Sequence, residues 1–95
     1  MNSRADRLHA ALMAAMPDAI VRVHDDSASH AGHAGAQPGG QTHFGVEIVW
    51  AGFADLSRVA RSRRVHELVT AEFAGGLHAL QLRLRTPAEI AATVS

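Results

Sequence analysis

The chain has 95 residues, 47% of them hydrophobic, and its nine arginines balance nine carboxylates with no lysine and no cysteine. This length bounds it to one domain, residues 1–95, with a single core and little margin, and the hydrophobic fraction excludes global disorder. Zero net charge argues against strong non-specific nucleic-acid binding, no apolar run reaches the roughly 20 residues of a membrane span, and the missing thiols exclude a disulfide framework and favour a reducing compartment, the cytoplasm.

The first element reads as a helix. Ser3 is its N-cap, and Leu8, Leu12, Ala15 and Met16 recur at helical spacing with Arg4 and Arg7 outside. Pro17-Asp18 ends it. Ala19 to His24 alternates as a short strand, with Val21 and Val23 on one face and Arg22 on the other. From Asp25 to Thr42 the periodicity stops. Glycine and other small residues dominate this stretch, so residues 25–42 are expected to form a long flexible loop, a feature that is often functional in so small a domain. His43 to Trp50 is a second strand, with Phe44, Val46, Ile48 and Trp50 on one face. After a connector at Ala51 to Asp55, Ser57 can cap a helix that runs to about Phe73 and stops at Gly75-Gly76. Its buried stripe is Val65, Leu68, Val69 and Phe73, while Arg61, Arg64 and Glu67 fall outside it. His78 to Leu84 is a third strand with Leu80, Leu82 and Leu84 on one face. Thr86 to Glu89 (TPAE) opens a last short helix, with Thr as N-cap, Pro at N1 and Glu at N3.

The order is therefore α-β-β-α-β-α. The first two strands can pair antiparallel around the loop. The second and third are joined through a helix and should be parallel. The result is an α/β two-layer sandwich with a three-stranded mixed sheet.

Seven histidines stand out against this frame. Four of them, His24, His30, His33 and His43, fall between positions 24 and 43. Imidazole is the commonest protein metal ligand. Without a thiol, metal chemistry here must use histidine, carboxylate or a partner's sulfur. His24 and His43 are expected to be cross-strand neighbours below the loop, in a structural role or none. His66 reads as a surface or packing residue, and His9 as exposed. By spacing alone, His78 reads as a hydrogen-bonded histidine at a strand end.

Four passages give the chain a resemblance to the BolA family over nearly its whole length. They are DDSASH (Asp25 to His30), THF (Thr42 to Phe44), RVARSRRVHELV (Arg58 to Val69) and GGLHALQLRLRTPAEIAA (Gly75 to Ala92). The resemblance implies a class II KH-like sandwich, in agreement with the element order. It also implies iron–sulfur chemistry with a monothiol glutaredoxin. In that arrangement a [2Fe–2S] cluster is held by the glutaredoxin cysteine, a glutathione thiol and histidine of the BolA partner. His78 aligns with the family's shared ligand. The loop offers His30 or His33 where some members carry cysteine, so the chain resembles the histidine-loop type. Many members have Arg-His-Arg in the second helix where this chain has Arg61-Ser62-Arg63, whereas His66 matches a second family histidine. The resemblance implies an isolated chain that carries no cluster and is a monomer or weak homodimer.

A rival class is nucleic-acid binding. Arg58, Arg61, Arg63 and Arg64, with His66 beyond them, give the second helix a basic entry that could meet phosphates or a glutaredoxin surface, and some family members are described as transcriptional regulators of DNA. Gly32-His33-Ala34-Gly35 matches a GxxG loop literally, but it lies between strands, where a KH domain needs it between helices. No nucleophile motif or phosphate loop is present, so no enzymatic activity is expected.

Overall fold

The computed structural model describes residues 3–25 and 43–94; the segment 26–42, with His30 and His33, lies outside the described residues. Helix α1 (Arg4–Ala15) begins where the sequence asks it to. The Ser3 hydroxyl accepts from the Asp6 amide, and the Asp6 carboxylate accepts from the Ser3 amide, so two amides left over at the helix start find partners. Leu8, Leu12 and Met16 fall on one stripe and are fully buried. Arg4 does not stay outside as its spacing suggested. Its side chain turns in to Glu72 and the Gly75 carbonyl and is only 11% exposed.

Strands β1 (Ile20–Asp25) and β2 (His43–Val49) pair antiparallel, and β2 pairs parallel with β3 (Ala79–Arg85). The sheet order is β1-β2-β3. Asp25, read as the first loop residue, is the last rung of β1, opposite Phe44. Along β2 the alternation holds: Phe44, Val46 and Ile48 are buried. Burying each contributes about 1.5–3 kcal/mol. Together with Val21 and with Leu80, Leu82 and Leu84 they make the face that the helices cover. The opposite face carries Arg22, Glu47 and Arg83 in one row across the three strands.

Between β2 and the next helix, Ala51–Phe53 forms one 3-10 turn that drops Phe53 into the core, edge-on to Trp50. The expected single helix from Ser57 to Phe73 is two helices, α2 (Arg58–Leu68) and α3 (Thr70–Ala74). Val69 breaks them with φ −116° and ψ 17°. The Thr70 hydroxyl donates to the carbonyls of His66 and Glu67, a local bond that competes with the helix ladder. Val65 before the break and Val69 at it stay buried, so the apolar spacing alone gave no sign of it.

Arg61 is the largest departure from the sequence reading. It is 7% exposed, not on the outer face of α2. Its Nε donates to the carbonyls of Phe53 and Leu56, its Nη1 to that of Leu84, and both Nη atoms to the Glu89 carboxylate. Glu89 also receives the Thr86 amide while the Thr86 hydroxyl receives the Glu89 amide, so the expected capping box opens α4 (Pro87–Val94). One guanidinium thereby ties α2, the 3-10 turn, the end of β3 and α4 together. The Arg61 and Thr86 donors hold the Glu89 carboxyl down at about 2. None of the described helices is long and apolar enough to cross a membrane.

Candidate histidine site

The site is built from the end of α3. Gly76 takes φ 120°, a region that costs little only without a side chain. With it there, the Gly76 amide donates to the Phe73 carbonyl and the Leu77 amide to that of Glu72. This pair of bonds is a Schellman closure, completed by a buried apolar residue after the glycine; Leu77 is 3% exposed. From α1, Arg4 donates to the Gly75 carbonyl at 2.7 Å, and Arg4 and Arg7 both bond Glu72. The arginines, Arg7 first, lower the Glu72 carboxyl below its ordinary value.

His78 comes next. It is exposed and immediately precedes β3, one residue outside the strand on which the alternation placed it. Leu77 is anchored in the core on one side and Ala79 in the ladder with His43 on the other. Its backbone is therefore fixed although its ring is in solvent.

His43 is the residue that the sequence reading undervalued. It was expected to sit across from His24. In the register, His24 lies opposite Gly45 and comes within 3.8 Å of Glu47. His43 instead faces His78, with ring centroids 6.2 Å apart and planes at 73°. The parallel pairing of β2 and β3 causes this, because it puts both strand starts at one end of the sheet. The only available signal was the element order, which implied parallel strands. The chain leaves β1 at Asp25 and re-enters the sheet at His43, so the segment with His30 and His33 springs from this same end.

Two imidazoles, one exposed and one half-buried, can together offer nitrogen donors to a soft or borderline metal. Among the described residues no group of three or more histidine, aspartate or glutamate side chains gathers as a metal site. Such a pair could supply part of a metal's ligand set. The second cluster of interest is on α2. Arg58, Arg63 and Arg64 are exposed there and Arg61 is not. His66 is exposed, and its ring lies 5.6 Å from that of Phe73.

Residues 12–89 match the sequence profile of the family described as BolA-like protein. The chain belongs to this family. The UV-induced protein uvi31 of Schizosaccharomyces pombe is 41% identical over 91 residues, covering 92% of this chain and 89% of that protein. Chloroplastic Protein BOLA1 of Arabidopsis thaliana is 37% identical, over 94% of this chain and 57% of its own length. The chain thus spans little more than half of that plant relative. Among solved structures, BolA1 from Arabidopsis thaliana superposes with a TM-score of 0.81 at 37% identity, over 94% of this chain and 97% of that one. The BolA domain of SufE1 from Arabidopsis thaliana gives 0.80 at 37% identity, over 94% and 98%. The BolA-like architecture of a three-stranded mixed sheet with helices on one face accounts for the position of His78, since the same crossover that makes β2 and β3 parallel carries the turn before it.

Proposed function

We propose that this BolA-like chain is a non-enzymatic adaptor that co-ligates a [2Fe–2S] cluster with a monothiol glutaredoxin, in iron–sulfur assembly, trafficking or iron regulation in the cytoplasm. The observation that carries the reading is His78: an exposed imidazole on a rigid backbone, faced by a second imidazole. The thiolates come from the glutaredoxin cysteine and from glutathione, because this chain has none. When bound, the cluster supplies a one-electron couple, and histidine in place of thiolate raises its potential. The protein's part is to hold His78 in place and to present His43, with His30 and His33 on the adjoining segment as the other candidate donors. The exposed Arg58, Arg63, Arg64 and His66 on α2 are the proposed docking surface. Two imidazoles cannot hold the cluster by themselves, so the isolated chain is colourless, a monomer or weak homodimer.

The test is reconstitution with a monothiol glutaredoxin, glutathione, iron and sulfide, read by visible circular dichroism with far-UV signal as the folding control. His78→Ala should remove most of the cluster signal. His43→Ala, and His30→Ala or His33→Ala singly, should remove less, and the double change at His30 and His33 should approach the His78 defect. An unchanged spectrum and cluster lifetime in folded His78→Ala would overturn the ligation. The three exposed arginines on one helix also suit a DNA-binding regulator. A sequence-dependent gel shift that survives about 0.2 M salt would favour that reading.

A further inference from the structure

A groove of about 590 Å³ runs along β3 at the end away from His78. From His78 to Leu82, the nearest β3 residue of the groove, is roughly 13 Å at the usual rise of an extended chain, so the two places do not share a side chain. The groove is lined by Leu82, Arg83, Leu84 and Arg85 in unbroken sequence. Consecutive strand residues share an edge, whereas a face holds only every second one. Arg58 and Ser62 of α2 and Ala92 of α4 form its walls.

Among the described residues this edge is unpaired, because β3 has β2 as its one partner in the sheet. The Arg85 carbonyl accepts from Trp50, on the β2 side. The Leu84 carbonyl accepts from Arg61, on the other. Backbone groups alternate between the two edges along a strand, so those of Leu82 fall on the outer edge with that of Leu84. Arg61 therefore blunts one end of the edge and leaves the stretch at Leu82 without a partner among the described residues. Within the groove the charge is mainly positive, and on the outer sheet face Glu47 of β2 lies beside Arg83. No ion pair between described residues involves Arg58, Arg83 or Arg85. The one carboxylate in the groove, Glu89, is already taken by Arg61.

We propose that this edge binds an extended acidic segment of a partner protein, added to the sheet as a fourth strand beside β3. The backbone at Leu82 offers both a donor and an acceptor, which a strand satisfies and a phosphate does not. Arg83 and Arg85 stand two residues apart on the sheet face away from the helices, the same repeat as alternate residues of an extended ligand. Leu82, Leu84 and Ala92 line the helix side. The ligand therefore alternates, with acidic side chains on the arginine side and apolar ones on the leucine side. This site is independent of the histidine reading.

The probe is the peptide Glu-Val-Glu-Val-Glu-Val-NH2, carrying fluorescein on its N-terminus through a Gly-Gly spacer and titrated by anisotropy in about 0.15 M salt, an ionic strength that screens exposed charges beyond roughly 8 Å. It should bind, and its Lys-for-Glu counterpart should not. Arg83→Glu with Arg85→Glu reverses two exposed cross-strand charges and should weaken binding about tenfold. Far-UV circular dichroism confirms that the variant is folded. Peptides N-methylated on alternate amides, in the register that faces β3, should lose binding. In amide NMR spectra Leu82 should shift most. His78→Ala should bind the peptide as the parent does, which separates this site from cluster ligation. Equal affinity of the N-methylated peptides in both registers, equal affinity of the double variant, or displacement by a 12-nucleotide single-stranded DNA that binds more tightly would each overturn the proposal.

Discussion

Replacing Arg61 with Ala should be the most damaging single change on α2. The substitution removes the donor to the carbonyls of Phe53, Leu56 and Leu84 and the partner of Glu89. It also removes a cation placed 5.6 Å above the Phe53 ring. The Phe53 carbonyl keeps the Leu56 amide as a donor, so it loses one of two hydrogen bonds, about 0.5–1.5 kcal/mol; the other two carbonyls regain water from the groove. The lost aliphatic stem adds about 0.8 kcal/mol for each buried methylene. With two methylenes lost, a total of about 2–3 kcal/mol is a large share of the roughly 5–14 kcal/mol expected for a domain of this size. At about 4–8 °C per kcal/mol the melting temperature should fall by about 8–24 °C. Arg61→Lys keeps the charge and stem but loses the fork, so it should fall between the parent and the Ala variant. Arg63→Ala and Arg64→Ala, at exposed positions, should stay within about 0.5 kcal/mol of the parent. Thermal melts by circular dichroism decide the matter. A melting temperature for Arg61→Ala within about 4 °C of the parent would show that water replaces the guanidinium and that the clip does not hold the fold.

Acid should destabilise the protein through Glu89 and Glu72. The Glu89 carboxyl sits at about 2 in the folded state against 4.5 ordinarily. The unfolded chain therefore takes up the proton first, and the stabilisation is complete above about pH 4.5 and drains away towards pH 2; Glu72, lowered by Arg7 and Arg4, acts in the same direction. Urea midpoints measured against pH should show that loss, and Glu89→Gln should flatten it; parallel acid limbs for variant and parent would contradict the assignment. Gly76→Ala should cost about 1–3 kcal/mol, because φ 120° is strained for any side chain and the added carbon would sit 3.4 Å from Arg4 Nη2. Gly75, at φ −88°, should accept Ala with little change in melting temperature. Arg63→Glu with Arg64→Glu should weaken glutaredoxin association about fivefold or more while the melt stays put; unchanged affinity by calorimetry would remove α2 from the docking surface.

The element order, the strand alternation and three of the caps were legible in the sequence because each depends on neighbours in the chain. Ser3 with Asp6, Ser57, and Thr86 with Glu89 act over three residues. Val21, Phe44, Val46 and Ile48 are set by a period of two. His78 stood out through the family resemblance alone, and Gly76 does take the positive φ that the turn before it requires. The break at Val69 was not legible, since a Thr hydroxyl that bonds back to the helix leaves the apolar stripe intact.

What only the tertiary structure decided are contacts between residues far apart in the chain. Helical periodicity put Arg61 outside because it counts only the side chains of its own helix. The sheet end at Leu84 and the carboxylate at Glu89, 23 and 28 positions later, draw it in. Arg4 is drawn to Glu72 across 68 positions in the same way. His43 was assigned to the wrong neighbour because composition says nothing about register. The parallel pairing of β2 with β3 sets it against His78, 35 positions away in sequence. The sequence by itself determined which residues could be buried, capped or turned; the packing of the sheet end and the helices determined which charges and which imidazoles meet, because those pairings depend on register and crossover, which local spacing does not encode.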